Sequence, residues 1–207
     1  MSRLTVMQDM GKDIKDAVRA LHEMGNHAED CIYLLQTSFI YNSQQHLNDC
    51  RVKLADIINT AQEVTRKMEE LSVENPILKP YESVPASLRK IGGSIDRLAQ
   101  LIDRKVREGI LFSDKAIVEI TFLFQRLIDL LGPTSDIILA RNQILSSYVQ
   151  ESEVEVVKKA LEYATLHEER LIEGVCLHMA STLYLSMLDE IKNIAWHSKE
   201  IAVKLMA

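Results

Sequence analysis

The chain has 207 residues, with 30 acidic and 24 basic side chains giving a formal charge of −6, and 47% of it is hydrophobic. That apolar share is ample for buried cores and excludes a disordered chain, while the acidic balance excludes a broad nucleic-acid footprint. Only 7 glycines and 4 prolines interrupt it, well under the roughly 12% of an average protein, so long unbroken elements are expected.

Periodicity gives helix after helix and no alternating strand. A first helix is predicted over residues 4–40: Met7, Ile14, Leu21, Ala28 and Leu35 repeat every seven residues, with Met10, Ala17, Met24 and Cys31 as the second rail of the same stripe. It stops before Asn42 and Ser43, residue types that cap a following helix. The second helix carries Leu47, Leu54, Ala61 and Met68 on one rail and Cys50, Ile57, Val64 and Leu71 on the other, and ends at 72–75 ahead of Pro76, Pro80 and Pro85. A third helix carries Leu88, Ile91, Ile95, Leu98 and Ile102, with Gly109 as a left-handed C-terminal residue. Ser113 and Asp114 start a fourth, predicted to run to Leu131 and to break at Gly132-Pro133. Ser135 or Thr134 then caps a fifth, with Ile138, Leu145, Val157, Ala164 and Leu171 inward. Its register slips after Leu145, and Ser152 with Glu155 matches a capping box, so a kink or short break is expected near 151. Gly174 ends it. The sixth helix buries Met187, Ile191, Ile194, Ile201 and Leu205.

The expected fold is therefore all-α, as two tandem bundles of three long antiparallel helices over residues 1–110 and 111–207. Helix six overlays helix three at an offset of 103 residues, pairing Leu88, Ile91, Leu98, Ala99 and Ile102 with Ile191, Ile194, Ile201, Ala202 and Leu205. The N-terminus lacks the apolar run of a signal peptide, and the most apolar stretch, Ala116 to Leu131, carries Glu119, Arg126 and Asp129. No direct membrane insertion is expected. Cys31, Cys50 and Cys176 are far apart and odd in number, which suits reduced thiols in a cytoplasm.

Motifs for catalysis are missing. The adjacent Gly92-Gly93 sits inside an amphipathic helical pattern and reads as close helix packing, not a phosphate loop. There is no G-x-S-x-G and no C-x-x-C, and no histidine follows a glutamate by three residues as a di-iron bundle requires. Glu23, His27 and Asp30 share one side of the first helix and form the candidate metal ligands, opposite the apolar rails. Trp196 and His197 form the candidate partner contact.

The run Leu166-His167-Glu168-Glu169-Arg170-Leu171-Ile172-Glu173-Gly174, followed by Ser181-Thr182-Leu183-Tyr184-Leu185-Ser186-Met187-Leu188-Asp189-Glu190-Ile191-Lys192-Asn193-Ile194, resembles the cytoplasmic PhoU-like tail of Na/Pi cotransporter family proteins. In that tail an H-x-x-R-L-x-x-G run leads into a leucine-rich helix and a His, a position that His197 fills. Leu88-Arg89-Lys90-Ile91-Gly92 and Glu108-Gly109-Ile110-Leu111-Phe112-Ser113-Asp114-Lys115-Ala116 are similar to the third helix of a PhoU repeat and the step into the next. Met24-Gly25-Asn26-His27-Ala28 is a looser match.

The resemblance implies a cytoplasmic regulator or accessory protein of phosphate uptake, with no catalysis of its own, acting by contact with a membrane phosphate transporter or its sensor and so peripheral to the inner face of the membrane. It also implies an E(D)-x-x-x-D metal motif on the third helix of each repeat. The matching positions here are Arg89 and Gly93, then Lys192 and Trp196, so no metal cofactor is expected, because a cation beside the site repels a metal ion. A homodimer is the expected oligomer. The alternatives are a metal-binding helical bundle using surface carboxylates, and a structural helical adaptor.

Overall fold

The apolar rails become buried seams. The computed structural model describes residues 11–174 and 178–207. Helix α1 spans Lys12–Tyr41, and Ile14, Ala17, Leu21, Met24, Ala28, Cys31 and Leu35 are all buried along it. Met7, Met10 and Cys176 lie outside the described residues. Asn42 closes α1 in the left-handed region (φ 54°), a conformation its short polar side chain tolerates. Ser43 then caps α2, Gln44–Glu74, by accepting from the His46 backbone N–H. Cys31 and Cys50 face each other across α1 and α2 as buried free thiols.

The proline segment does more than stop α2. Pro76–Tyr81 forms a 3-10 helix whose Leu78 and Tyr81 are buried. The Tyr81 hydroxyl donates to the Ile138 carbonyl at 3.0 Å, tying the turn to the second half of the chain. Helix α3, Val84–Arg107, follows, and the chain turns at Gly109 (φ 62°), where the positive φ favours glycine. Gly92 does allow close packing, since a Cβ there meets Ile57 of α2 at 3.2 Å; Gly93 faces outward, with only the Arg97 guanidinium near it.

Three expectations fail in the second half. Helix α4, capped by Ser113, does not end at Leu131 but runs through Gly132 and Pro133 as Asp114–Ala140. A proline removes one backbone donor, and the segment beyond it is held by burial of Thr134, Ser135, Ile137 and Ile138. The Thr134 hydroxyl donates to the Leu130 carbonyl, and the Ser135 hydroxyl divides its donor between the His22 carbonyl at 2.9 Å and the Asn26 side-chain oxygen at 2.7 Å. Neither residue caps a helix. The break comes at Arg141, left-handed with φ 44°, and Asn142 caps α5 by accepting from the Ile144 and Leu145 N–H groups.

Helix α5, Gln143–Ile172, is continuous through residue 151, so Ser152 and Glu155 are mid-helix and form no capping box. Its buried stripe is Ser146, Val149, Glu153, Val156, Ala160, His167 and Arg170, while Leu145, Val157, Ala164 and Leu171 are only partly buried at its edge. The apparent slip arose because this stripe contains two charged residues and a histidine. Gly174 (φ 73°) follows, and α6 spans His178–Met206 with Met187, Ile191, Ile194, Ile201 and Leu205 fully buried.

Helices α1, α2 and α3 pack on one another, and so do α4, α5 and α6. Across the two sets, α1 meets α4 and α3 meets α6, so like positions in the order pair with like. All ten residues of the overlaid pairs in α3 and α6 are buried. The apolar side chains of all six helices join one core, and no strand occurs among the described residues.

Candidate functional site

The pairing of α3 with α6 brings together the surface that carries most of the residues singled out from the sequence. On α3 the outward strip contains Arg89, Lys90, Arg97 and Gln100; on α6 it contains Lys192, Asn193, Trp196, Glu200 and Val203. These strips flank a seam closed by one strong ion pair. Arg97 forks onto Glu190, with Nε donating to Oε1 at 2.6 Å and Nη2 to Oε2 at 2.8 Å, while Ser94 and Asn193 complete the cage. Partial burial pushes the Glu190 carboxyl up, but hydrogen bonds from Arg97, Ser94 and Asn193 together with the Arg97 charge outweigh it and hold the group below the ordinary carboxylate range. The pair fixes the two helices in register.

Beside it a groove of about 480 Å³ runs between Arg97, Gln100, Arg104, Arg107, Ser186 and Glu190. Its guanidinium groups are not idle: Arg104 binds Glu108 at 3.1 Å and Arg107 binds Asp103 at 3.0 Å. Above the groove, His197 is partly buried and its Nδ1 lies 2.8 Å from Glu200 Oε2. That hydrogen bond, the largest influence, lowers the Glu200 carboxyl's pKa together with the charge of Lys204.

Trp196 behaves differently from its neighbour. It is 52% exposed, with the Lys199 ammonium 5.5 Å from its ring centroid. Lys199 is in turn anchored to the buried Glu153 of α5 at 2.9 Å. The indole therefore stands over an ammonium held by Glu153, and a large rigid apolar surface is presented in a polar setting. The arrangement suits contact with another macromolecule.

The positions where the resemblance implies metal ligands do not fit a metal. Arg89 is exposed, Gly93 has no side chain, and the Lys192 ammonium is occupied by Asp189 at 2.8 Å. The other candidates, Glu23, His27 and Asp30, line the outside of α1; Glu23 and Asp30 are exposed, and Asp30 is neutralised by Lys53 at 2.7 Å. Among the described residues no group of three or more His, Cys, Asp or Glu side chains is arranged to hold a metal ion. No described helix is long and apolar enough to cross a membrane.

Sequence reasoning missed a buried polar cluster in the second half. Glu119 of α4 accepts from Arg170 Nη1 at 2.8 Å and Nη2 at 2.7 Å, and from the Tyr184 hydroxyl of α6 at 2.6 Å. His167 stacks on Tyr184 at 4.4 Å between centroids. Burial and the Glu119 carboxylate together push the Tyr184 hydroxyl's pKa far up, and burial, then the charge of Arg170, lowers that of His167. The signal was present in the run from His167 to Gly174, whose His and Arg turn inward as part of the core.

Comparison with known proteins gives a fold. No family profile matches the chain, and no curated protein matches it. Among solved structures, the crystal structure of PhoU from Pseudomonas aeruginosa superposes with a TM-score of 0.81 at 13% sequence identity, covering 93% of this chain and 95% of that one. The chain has the PhoU fold over nearly its whole length.

Proposed function

We propose that this chain is a non-enzymatic, PhoU-like regulatory or accessory protein of phosphate uptake, acting on the cytoplasmic side by contact with a membrane phosphate transporter or its sensor. The observation that carries the reading is the shared fold with a PhoU protein across 93% of this chain and 95% of the other. The two halves, residues 1–110 and 111–207, are read as PhoU repeats, a division supported by the like-with-like packing of α1 on α4 and α3 on α6. The proposed contact surface is the α3–α6 face, with Trp196 as its anchor and His197 as the wall beside it. Tryptophan is among the residue types enriched at the hot spots of protein interfaces. Where the resemblance implies carboxylates and metal, this face offers the exposed Arg89 and Lys90, with Lys192 already paired to Asp189, so a partner segment with acidic side chains suits it better.

The test measures phosphate uptake and expression of phosphate-starvation genes under abundant phosphate, in cells lacking the gene and in cells complemented with the wild type or with Trp196→Ala. Loss of the gene is expected to leave uptake unrestrained, with wild type but not Trp196→Ala restoring control. Unchanged uptake and expression in the deletion would overturn the reading. Stoichiometric metal in protein purified without chelator would instead favour the metal-binding bundle.

A further inference from the structure

Lys105 is the one buried lysine side chain among the described residues, 6% exposed, and it has no acidic partner. Its ammonium donates to the Phe39 carbonyl at 3.0 Å and to the Asn42 side-chain oxygen, at the C-terminal end of α1. The Phe39 and Phe112 rings lie 5.0 and 6.0 Å from it. Two acceptors and two aromatic faces compensate the ammonium in part, but no carboxylate does. A helix C-terminus offers only about half an elementary charge, and burial alone lowers this group's pKa, with no carboxylate pulling it back.

Above Lys105 an open cleft of about 210 Å³ lies between the end of α1, the end of α3 and the segment leading into α4. Apart from the polar floor made by Lys105 and Asn42, its walls are apolar: Ile40, Val106, Ile110, Leu111 and Phe112. Leu111 is 76% exposed and Ile40 39%, so the rim is apolar as well. Buried cations without counter-charges are costly, and an apolar lip leading down to one is a shape that a small amphiphilic anion completes.

We propose that this cleft binds a short-chain monocarboxylate, its carboxylate paired with Lys105 and its alkyl group against Leu111, Ile40 and Phe112. Pentanoate is taken as the probe of this class. The site is separate from the α3–α6 face and its test does not depend on the regulator reading.

The test is titration of the full-length, isotopically labelled protein with pentanoate at constant ionic strength, following the backbone amide resonances of residues 105–112 by NMR, with pentanamide, acetate and chloride as controls. Saturable shifts with pentanoate are expected, with pentanamide and acetate each at least about tenfold weaker. Lys105→Met is expected to abolish the response. Should that variant fail to fold, Leu111→Glu serves in its place: it leaves Lys105 intact, alters an exposed position, and is expected to weaken binding by about tenfold or more. Absence of a saturable response to pentanoate overturns the proposal. So does equal binding of pentanamide or acetate, or undiminished binding by either folded variant.

Discussion

Removing the carboxylate of Glu119 is the sharpest perturbation of this fold. In Glu119→Ala the Arg170 guanidinium loses both of its Nη acceptors while its side chain is only 10% exposed. Its Nε already has no hydrogen-bond partner, and the Tyr184 hydroxyl beside it carries no charge to replace the carboxylate. That hydroxyl, on a side chain that is 0% exposed, loses its acceptor as well. Breaking a buried pair by deleting one partner costs about 3–5 kcal/mol, and in a domain of this size each kcal/mol lowers Tm by about 2–4 °C. Taking about 4 kcal/mol, Glu119→Ala should melt some 8–16 °C below wild type, measured by calorimetry and by urea denaturation at neutral pH. The triple variant Glu119→Leu, Arg170→Met, Tyr184→Phe removes every charge and donor together, and should return to within about 2 kcal/mol of wild type, because an apolar replacement of a buried pair is often neutral. A cost below about 1 kcal/mol for Glu119→Ala would refute the reasoning, since the guanidinium would then be reaching water. So would a triple variant as unstable as the single.

Other perturbations test other joints. Gly25→Ala should destabilise the protein by about 1–3 kcal/mol despite a helix-propensity gain near 1 kcal/mol, because the added Cβ meets Ser135 Oγ at 2.7 Å and the Ser135 backbone at 3.3 Å; a more stable variant in urea would refute this. Pro133→Ala should stabilise α4 by up to about 3 kcal/mol by restoring a backbone donor inside the helix, read as a raised Tm. The lowered pKa of His167 means that the folded state takes up its proton later than the unfolded chain, so this group's contribution is full above about pH 6.5 and falls as pH drops from there toward the folded value. His167→Gln should flatten the stability profile in that window, and identical slopes in the two proteins would refute the assignment. Trp196→Ala should cost no more than about 2–3 kcal/mol, since the indole is 52% exposed, while reducing capture of the phosphate-system partner.

Where the inward stripe of a helix is mainly apolar, its place was legible. The described rail residues of α1, α2, α3 and α6 became seams, with Leu71 only partly buried at the end of α2, because a seven-residue repeat of apolar side chains has no competing way to be buried. Helix α5 resisted because its inward stripe includes Glu153, His167 and Arg170, which a hydropathy pattern scores as surface. Their burial is tolerable only because Lys199, Tyr184 and Glu119 arrive from other helices, and no local spacing announces those pairings. Pro133 misled for a related reason: the local penalty is real, yet burial and the α1 contacts of Ser135 outweigh it. Of the site, Trp196 was visible as a lone tryptophan, but its exposure follows from its place on the outer side of α6. Lys105 was hidden in a run of basic residues that reads as an ordinary helix end.

The placement of the His167–Gly174 run bears on how the fold and its function separate. His167 and Arg170 of that stretch meet Tyr184 of α6 around Glu119, and all three are buried. Such residues constrain how α4, α5 and α6 fit together and touch no partner, so resemblance carried by them reports architecture. The proposed partner contact rests on outer positions instead. There Arg89, Lys192 and Trp196 stand where the resemblance implies acidic metal ligands, so the proposed α3–α6 contact would take a partner of different chemistry from a metal-bearing face. On that argument, replacing Arg89 and Lys192 with glutamate should leave Tm within a few degrees of wild type, because both side chains lie on the outer strip. The same change should abolish capture of an acidic partner segment; retained capture would show that the α3–α6 face is not the contact surface.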